Sequence, residues 1–339
     1  MIHRDDMKML FMCVGGSILT FNIYRAAKSF YDESRRANEW VPVGTVKKLS
    51  VFPVKSCRRK EVFSLYCDKL CVSIGELVDR EFALIDAETG KIYTARLTPK
   101  LVLVEVDVVD RVLSFKLPSD QEMFVHLDTV IARYDVKRAT IWDNLKVDGL
   151  DCGEEISKFF TEFTGTPVRL VMFRPELYNG RPCVTHPDWY NNPVPKRSDP
   201  VTYEDLSPYH ITTEPSLVEL NKRMDEKITS EQFRANIIVD KCLPWDEDRW
   251  SEMKIGDAEF ACYKPCTRCI LITVDPDTGV KHPGLQPLKK LREFRLAPEG
   301  KMRKEHKDDP MFGLNAGLIK PGYIHVGETV YARYKPSRF

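Results

Sequence analysis

Short runs of β-branched and aromatic residues, separated by turns, dominate the chain from Gly44 onward. Runs of this kind that are closely spaced, without long helical periods between them, are typical of an antiparallel sheet or barrel. The sequence therefore predicts an α+β, mainly β protein. The first predicted strands cover residues 45–52, 81–86, 102–108 and 112–117.

Two later segments carry apolar residues at intervals of three and four, which predicts amphipathic helices. The first covers residues 151–163 with Asp151 as its N-cap, and the second covers residues 214–227 with Thr213 as its N-cap. Further strands are predicted at residues 168–173, 235–239 and 270–274, with a hairpin-like end set at residues 314–334. Residues 174–200 are rich in Pro, Asn and Arg, which indicates an irregular loop or domain boundary. We expect that loop to line a pocket.

Residues 9–24 form an uncharged, mostly apolar stretch. It is somewhat shorter than the roughly 20 residues that a spanning helix needs, and no small-residue cleavage site follows it. A single marginal membrane anchor and a buried helix are the two alternatives, and Tyr24, Arg25 and Lys28 favour the anchor because such residues suit a membrane interface. More cations follow the stretch than precede it, which predicts that the larger C-terminal part lies in the cytosol.

Charge and cysteine usage limit the partners of the chain. It has 51 Lys and Arg against 50 Asp and Glu, so there is no overall basic field to attract nucleic acid, and an anionic ligand would need local cations. Most of the ten cysteines stand singly, which favours a reducing compartment without disulfides. The sequence has no glycine-rich dinucleotide fingerprint.

The densest chemical signal is a run of three thiols, Cys262, Cys266 and Cys269. Their spacing equals that of the iron–sulfur ligands in radical S-adenosylmethionine enzymes, but the 70 residues after Cys269 are too few for the barrel of those enzymes. A structural zinc would need a fourth ligand, for which His282 is the nearest candidate, and a second tight ligand pair is missing. Buried free thiols are a third interpretation.

Cys262 best fits the buried interpretation, because it alternates with Phe260 in a predicted strand. Cys269 is the best metal ligand, since Lys264 and Arg268 would favour its thiolate form. One thiolate beside cations is not a zinc cage. It suits a soft-ligand metal carried on an anionic organic cofactor.

Other segments supply groups that could bind such a cofactor. Lys55 and Ser56 lie on a turn directly after a strand, where they could hold a phosphate. Arg80, Arg234 and Asn236 add guanidinium and amide donors at strand starts. Each alone is typical of a solvated charge or a turn residue. Together with the thiol they predict a cofactor site.

These motifs resemble the MOSC superfamily and, within it, the mitochondrial amidoxime-reducing components. Residues 51–57 resemble the opening of the family's N-terminal β-barrel domain, and residues 233–237 and 266–279 resemble the core of its MOSC domain. The resemblance implies a membrane anchor with a juxtamembrane segment, a MOSC N-terminal β-barrel domain, an irregular linker and a MOSC domain. Their boundaries are residues 1–40, 43–173, 174–200 and 201–335.

The resemblance further implies a molybdenum cofactor, a pterin dithiolene with a phosphate tail. Cys269 matches the catalytic thiolate that binds the metal, and Cys266 is a neighbouring thiol without a required role. Leu206 departs from relatives that carry a second hydroxyl there. The positions that match cofactor-binding residues are Lys55, Ser56, Arg80, Ser207, Arg234, Asn236, Thr267 and Arg268.

The function implied is reduction of N-hydroxylated compounds, such as amidoximes and hydroxylamines, to amidines or amines. Family members receive electrons from cytochrome b5 and its NADH-dependent reductase, at the outer mitochondrial membrane with the catalytic part facing the cytosol. Two alternatives remain. MOSC domains also occur fused to a pyridoxal-phosphate cysteine desulfurase, so the chain could be a stand-alone sulfur carrier, or it could bind the cofactor without reductase activity.

Overall fold

The structure, a computed structural model, describes residues 39–142 and 145–339. The predicted anchor at residues 9–24 lies outside them. In the described part, no helix has the length and apolar character needed to cross a membrane. The fold is α+β and mainly β, as the strand patterns predicted.

The first fifteen strands are β1 Val41–Val51, β2 Lys60–Val62, β3 Ser64–Cys67, β4 Val72–Ile74, β5 Leu77–Val78, β6 Phe82–Asp86, β7 Ile92–Tyr93, β8 Glu105–Val109, β9 Val112–Lys116, β10 Glu122–His126, β11 Val136–Lys137, β12 Thr140–Ile141, β13 Leu145–Lys146, β14 Gly149–Asp151 and β15 Val168–Met172. The later strands are β16 Pro182–Val184, β17 Ser198–Pro200, β18 Tyr209–Thr213, β19 Ile237–Asp240, β20 Trp250–Ile255, β21 Ala258–Thr267, β22 Met311–Lys320, β23 Gly322–His325 and β24 Thr329–Tyr334. The described α-helices are α1 Leu127–Arg133, α2 Glu154–Thr164, α3 Glu214–Asn221, α4 Leu288–Phe294 and α5 Lys301–His306.

Seven strands close into a barrel in the order β1, β19, β18, β22, β21, β20 and β24. Closure depends on β1, whose first residues pair with β24 and whose middle pairs with β19. Gly44 lies at this change of partner, and a Cβ there would stand 2.2 Å from the carbonyl oxygen of Asp240. A side chain would therefore push the two strands apart. All the pairs are antiparallel except β18 with β19.

Smaller sheets surround the barrel. β11, β14, β15, β6 and β7 form one sheet, and β10, β9 and β8 form another. Helix α2 packs against β15 and β10, where the rings of Phe160 and Phe115 meet edge to face at 5.0 Å. β23, near the C-terminus, pairs with β3 in a sheet that continues to β4 and β5. The two halves of the sequence are thus joined by shared sheets.

Several local predictions were wrong in detail. Residues 102–108 contain the end of a 3₁₀ turn, Pro99–Leu103, before β8 begins, and residues 270–274 form the 3₁₀ turn Ile270–Thr273 instead of a strand. In that turn the Thr273 hydroxyl donates to the Ile270 carbonyl at 2.7 Å, so β-branched character did not decide the backbone conformation. The hairpin-like pairing predicted for residues 314–334 does not form. β22 pairs with β18 and β21, β23 pairs with β3, and β24 pairs with β20 and β1.

The two helix starts show opposite outcomes. Thr213 caps α3 as predicted, accepting a hydrogen bond from the Ser216 N–H at 3.4 Å, although the helix ends at Asn221. Asp151 does not cap α2, because it is the buried last residue of β14 and is ion-paired with Arg169. Gly153 occupies the N-cap instead.

Candidate functional site

A cavity of about 350 Å³ is lined by polar and ionisable side chains from both halves of the sequence. All nine predicted site residues line it: Lys55, Ser56, Arg80, Ser207, Arg234, Asn236, Thr267, Arg268 and Cys269. The earliest and the latest of them are more than 200 positions apart in the sequence, yet the folded chain brings them to one cavity. The cavity is therefore the candidate functional site.

Three of these residues have left-handed backbone conformations, with φ of 77° at Ser56, 51° at Arg80 and 54° at Arg234. Positive φ is uncommon outside glycine, and such strained residues cluster at functional sites. Each stands at the end of a turn or 3₁₀ element next to a barrel or sheet strand. With these backbone conformations, three polar side chains from separate elements line the cavity.

Arg80 and Arg234 lie together on the ring of Phe52, with guanidinium carbons 4.9 Å and 4.3 Å from its centroid. Arg80 is ion-paired with Asp79, and Arg234 donates to the carbonyl of Cys57 at 2.8 Å. Burial, and then the charge of Arg80, lower the pKa of Arg234 to about 9. The pair therefore carries positive charge that its own neighbours neutralise only in part, which favours an anion.

A chain of ionic contacts runs along another wall of the cavity. Lys55 Nζ donates to Asp205 Oδ1 at 2.6 Å, and Arg96 Nη2 donates to Asp205 Oδ2 at 2.5 Å. Arg96 Nε donates to Cys269 Sγ at 3.3 Å. Burial opposes the charge of Asp205, but the two cations outweigh it and lower the pKa of Asp205 below its usual range. Burial also lowers the pKa of Lys55.

Arg96 is thus the cation that donates a hydrogen bond to Cys269, whereas the guanidinium of Arg268 binds the other thiol. Arg268 Nη1 donates to Cys266 Sγ at 2.9 Å and to His210 Nε2 at 2.8 Å. Residues two positions apart in extended chain share a face, so the Arg268 side chain follows Cys266 and not its neighbour Cys269. His210 Nδ1 lies 3.1 Å from the carbonyl of Leu314, which only accepts, so the ring carries its proton on Nδ1.

The remaining predicted residues fix the cavity wall. The Ser207 hydroxyl, two residues before β18 begins, lies 2.9 Å from both the Tyr209 carbonyl and Asn315 Oδ1. Asn236 is buried just before β19, and its Nδ2 donates to the carbonyl of Ser50 at 3.3 Å. Thr267 is the last residue of β21.

Charge in the cavity is unequal. Six cations line it (Lys55, Arg80, Arg96, Arg234, Lys264 and Arg268), against three acids (Glu204, Asp205 and Asp309). Burial raises the pKa of Glu204 to about 7, so this acid is largely neutral in mildly acidic conditions. Its Oε2 accepts from Thr202, while its buried Oε1 has no hydrogen-bond partner. The cavity is therefore positive and suited to a polyanionic ligand.

The three thiols have different surroundings. Cys262 is buried in the barrel, where burial raises its pKa to about 12 and keeps it a neutral thiol. Cys266 and Cys269 are part-exposed at the cavity and contact different arginines. In the described ranges, no three Cys, His, Asp or Glu residues are grouped so that they could hold a metal ion. The cavity thus contains two part-exposed sulfurs, and each is hydrogen-bonded to a different arginine.

Sequence reasoning missed several residues of the cavity, chiefly Arg96, Trp142, Glu204, Asp205 and His210. The position of the two acids directly before Leu206 and Ser207 was an available signal. Arg96 and Trp142 had none, because their roles depend on long-range contacts: Arg96 contacts Cys269 across 173 positions, and Trp142 contacts Asp205 across 63. The expectation that residues 174–200 line the pocket was wrong, since none of them lies in its wall. Leu206 does line it, without a hydroxyl.

Comparison with known proteins agrees with this architecture. The sequence matches the MOSC N-terminal beta barrel domain at residues 43–167 and the MOSC domain at residues 198–331. Mitochondrial amidoxime reducing component 2 of Macaca fascicularis is 38% identical over 298 residues, covering 88% of this chain and 86% of the relative. The same component of Homo sapiens gives the same identity and coverage. Mitochondrial amidoxime-reducing component 1 of Homo sapiens is 36% identical over 299 residues, with the same shares of both chains covered.

Proposed function

Because the chain belongs to the MOSC family that includes the mitochondrial amidoxime-reducing components, we propose that it is a molybdenum cofactor-dependent reductase of N-hydroxylated compounds. The observation that carries the proposal is the placement of one part-exposed thiol, Cys269, in a cavity where cations outnumber acids. A thiolate is a soft ligand for the metal, and the cations suit the anionic pterin that carries it.

The residues present fit such a cofactor. The incompletely neutralised pair Arg80 and Arg234 matches a phosphate tail, for which guanidinium groups give charge-assisted hydrogen bonds. Arg268 Nε is a buried donor without a partner, so the wall still has hydrogen-bonding capacity to offer. The residues that would hold the pterin and its phosphate are Lys55, Ser56, Arg80, Ser207, Arg234, Asn236, Thr267 and Arg268. Cys269 would bind the metal.

The bound cofactor would supply the two-electron chemistry, in which an N–OH group, two electrons and two protons give N–H and water. The chain's own residues prepare the site. Asp205 stays ionised between Lys55 and Arg96 and so holds both cations in place. Glu204 keeps a proton on its carboxyl group up to about pH 7, which prevents it from cancelling the positive charge that the cofactor needs.

The electron source is proposed to be cytochrome b5 and its NADH-dependent reductase, as in the family. Lack of a dinucleotide fingerprint supports an external donor. The relatives are named as mitochondrial proteins, and we propose an outer-membrane location with the catalytic part in the cytosol, supported by the cations that follow residues 9–24.

Metal analysis of the purified full chain is the first test. Near-stoichiometric molybdenum is expected in the wild type, and Cys269→Ala should lose it because the protein ligand to the metal is gone. Cys266→Ala is the matched control, since it removes a thiol from the same cavity while leaving the proposed ligand. Iron or zinc in place of molybdenum would overturn the cofactor assignment.

Turnover is the second test. Molybdenum-loaded protein, reconstituted anaerobically with cytochrome b5, its reductase and NADH, should convert an aryl N-hydroxyamidine to the amidine, and Cys269→Ala should give no product. Loaded wild-type protein that yields no product would remove the reductase activity and leave a sulfur carrier or a cofactor-binding protein.

A further inference from the structure

Arg96 is held on three sides at the cavity wall. Its Nε donates to Cys269 Sγ at 3.3 Å, its Nη2 donates to Asp205 Oδ2 at 2.5 Å, and its guanidinium carbon lies 4.9 Å from the centroid of the Trp142 ring. Trp142 is itself tied to Asp205, because its Nε1 donates to the Asp205 carbonyl at 3.2 Å. The side chain of Arg96 is 21% exposed, whereas that of Asp205 is 43% exposed and Trp142 is 50% exposed, so solvent reaches this set of contacts.

We propose that Arg96 is a positioning residue that orients the metal-binding sulfur of Cys269 and withdraws electron density from it. This inference rests on the proposed function. Its distinct content is that an N–H···S hydrogen bond and a fixed positive charge, both from Arg96, set the donor strength of the thiolate.

The geometry supports this role over a general ionic one. A planar guanidinium can donate to a sulfur through Nε and to a carboxylate through Nη2 at the same time, whereas a lysine ammonium is a single point charge. Groups that hydrogen-bond to a metal ligand orient it and tune the metal, and hydrogen bonds to ligating sulfurs are one of the factors that set reduction potentials. Asp205 and Trp142 keep Arg96 in this position when the side chain would otherwise be free to turn to solvent.

The direction of the effect follows from charge. A positive group beside the sulfur favours the more reduced, more negative state of the centre, so its removal should shift the Mo(V)/Mo(IV) midpoint potential to more negative values. A hydrogen bond to a charged group has roughly a tenfold effect on an equilibrium, and tenfold for a one-electron couple is about 59 mV. The affinity for the metal should also fall by about 10- to 100-fold, and metal occupancy should fall with it.

The test uses Arg96→Gln and Arg96→Lys in the full chain, with Trp142→Leu to loosen the support. Arg111→Gln is the control, because Arg111 pairs with Asp128 at the exposed surface and does not line the cavity. Molybdenum and pterin contents are measured with the Mo(V) electron paramagnetic resonance spectrum and its redox titration. Arg96→Gln should retain pterin, change the spectrum and lower the potential. Arg96→Lys should recover part of the shift, and Trp142→Leu should give a smaller shift of the same sign.

Outcomes for Arg96 and for the proposed function can be told apart. Molybdenum in the wild type together with an unchanged spectrum and potential in Arg96→Gln would overturn the positioning role and leave the reductase proposal intact. No molybdenum in the wild type would overturn both. If Arg96→Gln does not fold, Arg96→Lys decides, because a wild-type spectrum there would show that the bidentate geometry has no influence on the sulfur.

Discussion

Two clusters of charged side chains in this protein differ in whether their charges cancel. The closed cluster consists of Thr213, Ser216, Glu247, Asp248 and Arg295. Arg295 binds Asp248 through two hydrogen bonds of 2.8 Å, and Glu247 Oε2 accepts from both hydroxyls at 3.0 Å and 2.9 Å. Its cation thus has its full counter-charge within the cluster.

The cavity cluster consists of Lys55, Arg80, Glu204, Asp205 and Arg234. It contains a glutamate much like Glu247, since burial raises the pKa of both to about 7 and both have a buried Oε1 without a partner. The cations differ. Burial lowers the pKa of Arg234 to about 9, whereas Asp248 outweighs the burial of Arg295 and raises its pKa. A closed cluster stabilises the fold, while an open one leaves charge for a ligand.

Breaking the closed cluster should give the largest effect on stability. Asp248→Asn would leave Arg295 buried without its counter-charge, and breaking such a pair lowers the free energy of unfolding by about 3–5 kcal/mol. Denaturant unfolding of the purified protein measures this. Asp128→Asn is the control, because it breaks an exposed pair with Arg111 and should cost less than about 1 kcal/mol. Equal losses in the two variants would contradict the structural role of the closed cluster.

The two glutamates make a matched pair for a pH experiment. A folded-state pKa of about 7 lies above the ordinary 4.5, so each glutamate contributes stability below about pH 4.5 that is lost as pH rises through about 7. Glu204→Gln cannot release this proton, so its free energy of unfolding relative to wild type should rise between pH 4 and pH 8, by on the order of 3 kcal/mol.

Glu247→Gln should show the same direction of change, and the comparison lies in cofactor content. Glu204→Gln should alter pterin retention because residue 204 lines the cavity, whereas Glu247→Gln should not. Unfolding curves at several pH values and pterin assays on the same samples provide both measurements. A flat stability difference between pH 4 and pH 8 for Glu204→Gln would show that its carboxyl titrates normally.

The sequence predicted what local pattern and motif determine. Strand patterns identified β1, β6, β9, β15 and β19, and motif resemblance identified all nine residues that the cavity gathers. The roles assigned to those nine residues stay predictions. What failed depends on tertiary contact: Arg96 contacts Cys269 across 173 positions, and β23 pairs with β3 across more than 250 positions. No local period encodes such contacts.

The same limit explains why the strand predicted at residues 270–274 was wrong. Ile270–Thr273 has the β-branched composition of a strand, but β21 has already ended at Thr267, and the chain turns at Cys269 to face the cavity. Ile272 is buried in a separate apolar cluster beside Phe233. Tertiary packing overrode the local propensity, at the point where the thiol is presented.

Removing a cation from the cavity cluster should give the smallest change in stability. Arg234→Gln removes a part-buried cation whose charge is only partly compensated, so the free energy of unfolding of the cofactor-free protein should stay within about 1 kcal/mol of wild type or rise. Cofactor binding should weaken by about 1.5–3 kcal/mol, tenfold or more, because a charge-assisted hydrogen bond to the phosphate is lost. Pterin and molybdenum contents, with unfolding of the cofactor-free protein, measure the two effects.

Arg58→Gln is the matched control for that variant, since Arg58 is part-exposed near Glu105 and Asp277 and does not line the cavity. It should change neither quantity. If Arg234→Gln instead unfolds as readily as Asp248→Asn while its cofactor content per folded molecule stays at the wild-type level, Arg234 belongs with the closed cluster. The contrast would then have to rest on Arg80, the other cation on the Phe52 ring, whose charge is already shared with Asp79.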